Sequence, residues 1–177
     1  MANVIIDNLV ASALDAAGRD DPEQAVAELL QDLADRRESM LQELPSTHQD
    51  ETILYSSAAL TLVRVEVAPG MIFPPHNHTM PAILAILQGP ERNTFYKVRD
   101  SGLTVVGEED APSGSVVRMT ASVIHSVSNH GSQRSMGIHA YLGDLFAAER
   151  SLWDLRLGVE HPYSDDLYFS LSSKVDA

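Results

Sequence analysis

Two histidines one residue apart, His76 and His78, stand in the stretch Gly70–Gly89, GMIFPPHNHTMPAILAILQG. On an extended strand alternate side chains share a face, so both imidazoles can point at one spot and supply half of a metal site. Pro74 and Pro75 stiffen the approach, Gly70 lies six residues before His76, and Gly89 ends the following apolar run as a turn signal. By itself a His-x-His pair reads as a surface or internally satisfied pair, so its meaning depends on what the rest of the chain adds. A second histidine segment follows at a distance suited to a neighbouring strand: Pro112-x-Gly114, then TASVIHSVSN with His125 and Asn129. With no cysteine in the chain, a metal must rely on imidazole and oxygen donors, and neither a disulfide nor a cysteine nucleophile is available.

The elements that must position these residues are legible in the periodicity. From about Val4 to Leu44 apolar residues recur at helical spacing, interrupted near Gly18 to Pro22, which predicts two helices. Asp21 is placed as N-cap of the second, with Pro22 at its first position and Gln24 three residues past the cap, close to a capping box. After Pro45 the pattern changes to short β-branched, alternating runs. Strands are expected near 52–55, 59–67, 82–87, 93–98, 103–106, 115–119, 122–127, 137–142 and 167–171. A short helix or turn is expected over 147–157. Short strands at this spacing form a sandwich or barrel, so the chain reads as a mainly β protein. A helical segment, 1–45, packs against a barrel, 46–177, in one domain.

Length and composition agree with that architecture. The 177 residues suffice for one full core, and the 44% hydrophobic and 21% charged fractions are ordinary for a soluble globular protein. No run approaches the roughly 18 apolar residues of a membrane span. The N-terminus lacks a basic start and carries Asp7 in its apolar region, which argues against a secretory signal and makes the cytoplasm the expected compartment. A formal net charge of −13 disfavours attachment to nucleic acid or anionic lipid, leaving a small molecule as the expected partner.

Gly-x5-His-x-His followed by Gly89, then Pro-x-Gly and His-x3-Asn, resembles the two motifs of the cupin superfamily, whose jelly-roll barrel, a double-stranded β-helix, holds one metal in its mouth. The second motif is looser here, because the gap from Gly114 to His125 is longer than usual. The resemblance implies a metal held by His76, His78 and His125, with Ala82 where many members keep a ligand glutamate. Three neutral imidazoles leave the charge of a divalent metal uncompensated and favour an anionic ligand such as a thiolate, enolate or hydroxide.

The chain is most similar to the three-histidine subgroup of that superfamily, the thiol dioxygenases, or cysteine dioxygenase-like cupins. LQGPERNTFY, residues 87–96, resembles the segment after their first motif, and GIHAY, residues 137–141, resembles their Ser-x-His-x-Tyr outer-sphere triad. The resemblance implies that Tyr141 places its hydroxyl beside bound dioxygen and substrate sulfur while His139 orients it; the strand period puts 137, 139 and 141 on one face. It also shows departures. Gly137 replaces the triad serine, and Ala82 replaces the cysteine that crosslinks to the tyrosine in animal enzymes. Ser57 falls near the position of the arginine that grips the substrate carboxylate. Another cation is therefore needed for a carboxylate substrate; Arg92 is the first candidate, with Arg64 and Arg118 on predicted strands. Met80 and Ala82 are expected to line the pocket, Met71 and Phe73 to pack as wall or core, Asn129 to bond at a strand end, and His48, His130 and His161 to lie at the surface.

The resulting expectation is a mononuclear non-haem Fe(II) dioxygenase that oxidises a small thiol or related molecule with O2. The ligand set would also accept Zn, Ni, Co or Mn. Two other readings stay open: a three-histidine lyase, isomerase or hydrolase that activates bound water, and a cupin that binds a small ligand without turnover. A homodimer is expected by analogy with other cupins.

Overall fold

A computed structural model describes residues 4–44, 46–100 and 102–174. Helices α1 (Val4–Ala17), α2 (Pro22–Asp35) and α3 (Arg37–Glu43) lead into the strands. The chain continues through β1 (Glu51–Ser56), β2 (Thr61–Val67), β3 (Met71–Ile72), β4 (His76–Asn77), β5 (Ala82–Gln88), β6 (Glu91–Arg99) and β7 (Gly102–Ala111). It ends with β8 (Val116–Met119), β9 (Ile124–Ser128), β10 (Ser135–Tyr141), β11 (Ser151–Asp154), β12 (Val159–Pro162), α4 (Asp165–Leu171) and β13 (Ser173–Lys174). Pro45, where the expected helical segment ends, lies outside the described residues. Among the described residues no helix is long and apolar enough to cross a membrane.

The helices follow the sequence signals with one refinement. Asp21 caps α2 by accepting the Gln24 backbone N–H at 3.1 Å, with Pro22 in the first turn. The Gln24 side chain does not reach back to the cap; it donates to Glu28 and accepts from Arg118, both at 2.9 Å. The expected second helix is divided at Arg36 (φ −97°, ψ 18°), so three N-terminal helices are present among the described residues.

The strands form two antiparallel sheets, a double-stranded β-helix of mainly β class. One runs β1-β2-β10-β5-β8; the other runs β12-β11-β4-β9-β3-β13, with β6 joined to β9 and β7 to β6. Alternation divides each strand of the first sheet. Leu62, Ile83, Ala85, Leu87, Ile138 and Ala140 face the helices and pack with Leu30, Leu33 and Met40. Val63, Leu84, Ile86, Val117 and Tyr141 face inward. Fully burying one such leucine stabilises by about 1.5–3 kcal/mol, which keeps this face under α2. A second internal cluster of Val67, Phe73, Val127, Leu152 and Tyr168 fills the space toward the other sheet.

Two expectations are corrected. Residues 167–171 are helical, within α4, because Ser164 caps Leu167 N–H at 3.3 Å, acidic Asp165 and Asp166 occupy the first turn, and Tyr168 turns into the core with Leu167 and Leu171 packed beside it. Within 147–157, β11 follows the turn at Ala148, and Leu152 pairs with His76 on one side and His161 on the other. His161 accordingly lies in a strand, and β3, β4, β12 and β13 are short pairings without an alternation long enough to read.

Candidate metal centre

The register of β4 against β9 sets His76 directly opposite His125, and His78 follows from the loop after β4. Strand geometry therefore places only one imidazole of the first pair; the next turn, where Thr79 takes φ 59°, orients the other. The three rings converge, with centroids 4.7 Å (76–125), 5.0 Å (76–78) and 5.0 Å (78–125) apart. One nitrogen from each lies within 4.8 Å of the other two, and all three residues are buried.

The hydrogen bonds around the rings fix which nitrogens face each other. His76 Nδ1–H donates to the Pro74 carbonyl at 3.0 Å, so the stiff Pro74-Pro75 approach also orients the ring. His125 Nδ1–H donates to Asn93 Oδ1 at 2.9 Å. Both rings are thereby left with bare Nε2 atoms. His125 Nε2 and His78 Nε2 face each other at 3.5 Å. Two nitrogens bound to one ion at 2.0–2.1 Å lie about 3.0–3.4 Å apart, so the arrangement fits a metal with little movement. Burial, partly opposed by the Pro74 carbonyl, drives His76 down to about 4, and burial holds His78 and His125 well below the ordinary histidine range. Neutral imidazoles with oriented lone pairs are the form a divalent cation needs. Among the described residues no carboxylate joins the group. Ala82 is fully buried and sits opposite Tyr141 on the inner wall.

Tyr141 stands beside the histidines, its ring 4.9 Å from that of His78, and its hydroxyl is 3.3 Å from His139 Nδ1. Burial raises Tyr141 above the usual phenol range and lowers His139 to about 3, so both stay neutral. Met80 packs with Ala82 and Tyr141, while Phe73 is core and Met71 a partly buried wall residue. Asn129 binds the strand end, donating to Val67 O and Gln133 O at 2.8 Å.

The cations expected to grip a substrate are not brought to the histidines. Because Asn93 faces His125, its neighbour Arg92 faces the other way; it is 36% exposed and forms a two-pronged pair with Asp110 at 2.6 and 3.1 Å. Arg64 pairs in register with Ile138 on the helix-facing side, 3.7 Å from Glu66, and Arg118 bonds α2. Ser57 lies in the turn before β2, bonded to Leu60. The cation near the histidines is Arg150, whose charge lowers His76, His78 and Tyr141 and whose Cζ lies 3.7 Å from the Tyr163 ring centroid. Tyr163 and Tyr168 close the same side, with centroids 6.5 and 5.2 Å from His76. Arg150, Tyr163, Tyr168 and Asn93 were not singled out from sequence. Asn93 had a signal in its place after the first motif, whereas Tyr168 was hidden by reading α4 as a strand.

No family model and no curated protein sequence matches the chain. Similar solved structures include procruciferin, an 11S globulin from Brassica napus (15% identity, TM-score 0.40, 48% of this chain and 21% of that one). Others are an oxalate oxidase bound to the substrate analogue glycolate (18%, 0.43, 55% and 53%) and a Klebsiella pneumoniae protein with a double-stranded β-helix domain (14%, 0.43, 61% and 87%). The match thus spans about a fifth of the globulin and half of the oxidase. Likeness this distant transfers no activity; the two-sheet topology and the three-histidine group stand on their own geometry.

Proposed function

We propose that the protein is a mononuclear non-haem Fe(II) dioxygenase of the thiol dioxygenase type, acting on a small anionic thiol. The observation that carries this reading is the donor set: three buried neutral imidazoles with Ala82, not a carboxylate, on the adjoining wall. Such a site leaves the metal's positive charge to be balanced by its ligand, and a thiolate does so. Fe(II), when bound, supplies the reaction with O2, and the net change R–SH + O2 → R–SO2H oxidises sulfur and consumes both oxygen atoms.

The chain's residues hold and orient. His76, His78 and His125 hold the metal; Pro74 O and Asn93 Oδ1 keep two of the rings in the required tautomer. Tyr141, kept protonated by burial, offers its hydroxyl as a hydrogen-bond donor beside His78. Phe73, Tyr163 and Tyr168 exclude water from one side. Arg150 has no ion pair among the described residues and supplies positive charge for a second anionic group on the substrate, such as a carboxylate.

The test is anaerobic reconstitution with Fe(II), followed by O2 uptake with cysteine, 3-mercaptopropionate, cysteamine and non-thiol acids. Stoichiometric uptake with a carboxylate-bearing thiol is the expected result. No uptake with any thiol would remove the activity and leave the metal site standing.

A further inference from the structure

Three buried polar atoms on the inner wall have no hydrogen-bond partner among the described residues: Glu91 Oε2, Asn93 Nδ2 and His139 Nε2. Leaving such atoms unpaired in a dry interior costs about 1–3 kcal/mol each, so their grouping calls for a partner. They belong to two strands that face each other across the barrel. Glu91 and Asn93 are alternate residues of β6, and Ser135 of β10 donates to Glu91 Oε1 at 3.0 Å, joining the walls. Along the inner face of β10 the alternate residues are then Ser135, Gly137, His139 and Tyr141.

Gly137 interrupts this row at an informative place. A Cβ built there would lie 3.2 Å from His139 Nε2 and 2.9 Å from the Ala85 carbonyl oxygen. The His139 ring therefore reaches back over the glycine with Nε2 and forward to Tyr141 with Nδ1. Ser135, which bonds Glu91, and Gly137, over which His139 Nε2 lies, are alternate residues of one strand about 6.5–7 Å apart, a step of the length that one bridging water spans.

We infer that Glu91, Ser135, His139 and Tyr141 form one relay bridged over Gly137 by buried water, in which the protonation state of Glu91 sets the direction in which the Tyr141 hydroxyl donates. With Glu91 protonated, its Oε2–H donates to water and water donates to His139 Nε2. His139 Nδ1–H then donates to Tyr141, and the tyrosine O–H is left to donate into the metal site. With Glu91 ionised the bonds between Glu91 and Tyr141 reverse: water donates to the carboxylate, His139 Nε2–H donates to water, and Tyr141 donates to His139 Nδ1, away from the site. In both states the Asn93 amide donates to the water, giving it the three partners usual for a buried water. Glu91 is thus a positioning residue for Tyr141, and the device stands whether or not the protein oxidises thiols.

The surroundings suit such a switch. Burial, opposed by the Ser135 bond, pushes Glu91 up to about 7. β7 places Ala111 opposite Glu91 and β2 places Val67 opposite Ser135, neither of them titratable. Among the described residues the titratable groups on the adjoining inner walls are His125, His139 and Tyr141, which burial keeps neutral across that range; His76 faces His139, and Glu51, Arg150 and Tyr163 act on Tyr141 from its far side.

The test is NMR of protein labelled with 15N at histidine and 13C at the glutamate carboxyls, with and without Zn(II), so that it depends on neither iron nor turnover. The expected result is that the protonated and bare nitrogens of His139 exchange identity as pH rises through the Glu91 midpoint. Glu91→Gln, whose amide N–H mimics the protonated acid, is expected to hold His139 in the Nδ1–H tautomer throughout. A His139 tautomer that stays fixed while Glu91 titrates would overturn the relay, as would a Glu91 midpoint in the ordinary carboxylate range. The wild-type titration decides even if the variant fails to fold.

Discussion

Asn93 acts on the proposed metal site through His125, because its Oδ1 holds the Nδ1–H at 2.9 Å. Asn93→Ala is expected to weaken metal affinity roughly 10- to 100-fold while the three ligands remain, read by competition with a coloured chelator. Arg150 acts on a different quantity. Arg150→Gln is expected to raise KM for 3-mercaptopropionate roughly tenfold to a hundredfold, the worth of one charge-assisted hydrogen bond, and to leave cysteamine nearly unchanged. Equal effects on both thiols would show that Arg150 supports the fold rather than the substrate. The histidines were legible because the segments around His76, His78 and His125 resemble a known pair of motifs; His-x-His alone would not have singled them out. Arg150 was not, because no local pattern ties it to His76; the β4–β11 pairing carries that relation.

At the scale of elements, the first sheet has two buried faces with separate tasks. Leu30 of α2 is fully buried against the outer face, among Leu62, Ile83 and Ile138. Leu30→Ala is expected to cost about 2–5 kcal/mol in urea unfolding with metal content per folded protein unchanged, since the cavity opens on the side away from the histidines. The helices were readable from a 3.6-residue period and the Asp21-Pro22 cap, and the long strands from their β-branched runs. α4 was not, because DLYFSL mixes aromatic and apolar residues that also suit a strand. The signals that decide it are Ser164 and the acidic first turn. Pairings of two residues, such as β3 and β4, carry too few residues for any period; their partners define them.

For the whole molecule, the interior makes stability depend on pH in opposing ways. His139 is lowered from 6.5 to about 3 by burial, so below pH 6.5 the unfolded chain binds a proton that the folded one refuses. Stability from this source is complete above 6.5 and falls as pH drops toward 3; His76, lowered to about 4, adds to it in metal-free protein. Glu91 runs the other way. Its folded carboxyl keeps the proton up to about 7 while the unfolded one releases it near 4.5, so wild type loses up to about 3 kcal/mol relative to Glu91→Gln as pH rises through that window. Urea midpoints of the two proteins across pH 4.5 to 8 check the sign: the curves should separate with rising pH, and parallel curves would show that Glu91 ionises normally. The sequence by itself determined the mainly β class and the apolar faces, because period is a local property of the chain, and it pointed to the three histidines through the resemblance of their two segments to a known pair of motifs. Only the tertiary structure decided that Arg92 faces outward, that Tyr168 stands beside His76 with Arg150 over Tyr163, and that Glu91 and His139 lie on strands that face each other. Those relations depend on which strand pairs with which and in what register. For Gly70–Gly89 the result is two converging imidazoles, His76 aimed by a proline carbonyl and by its pairing with β9, and His78 carried by the turn at Thr79.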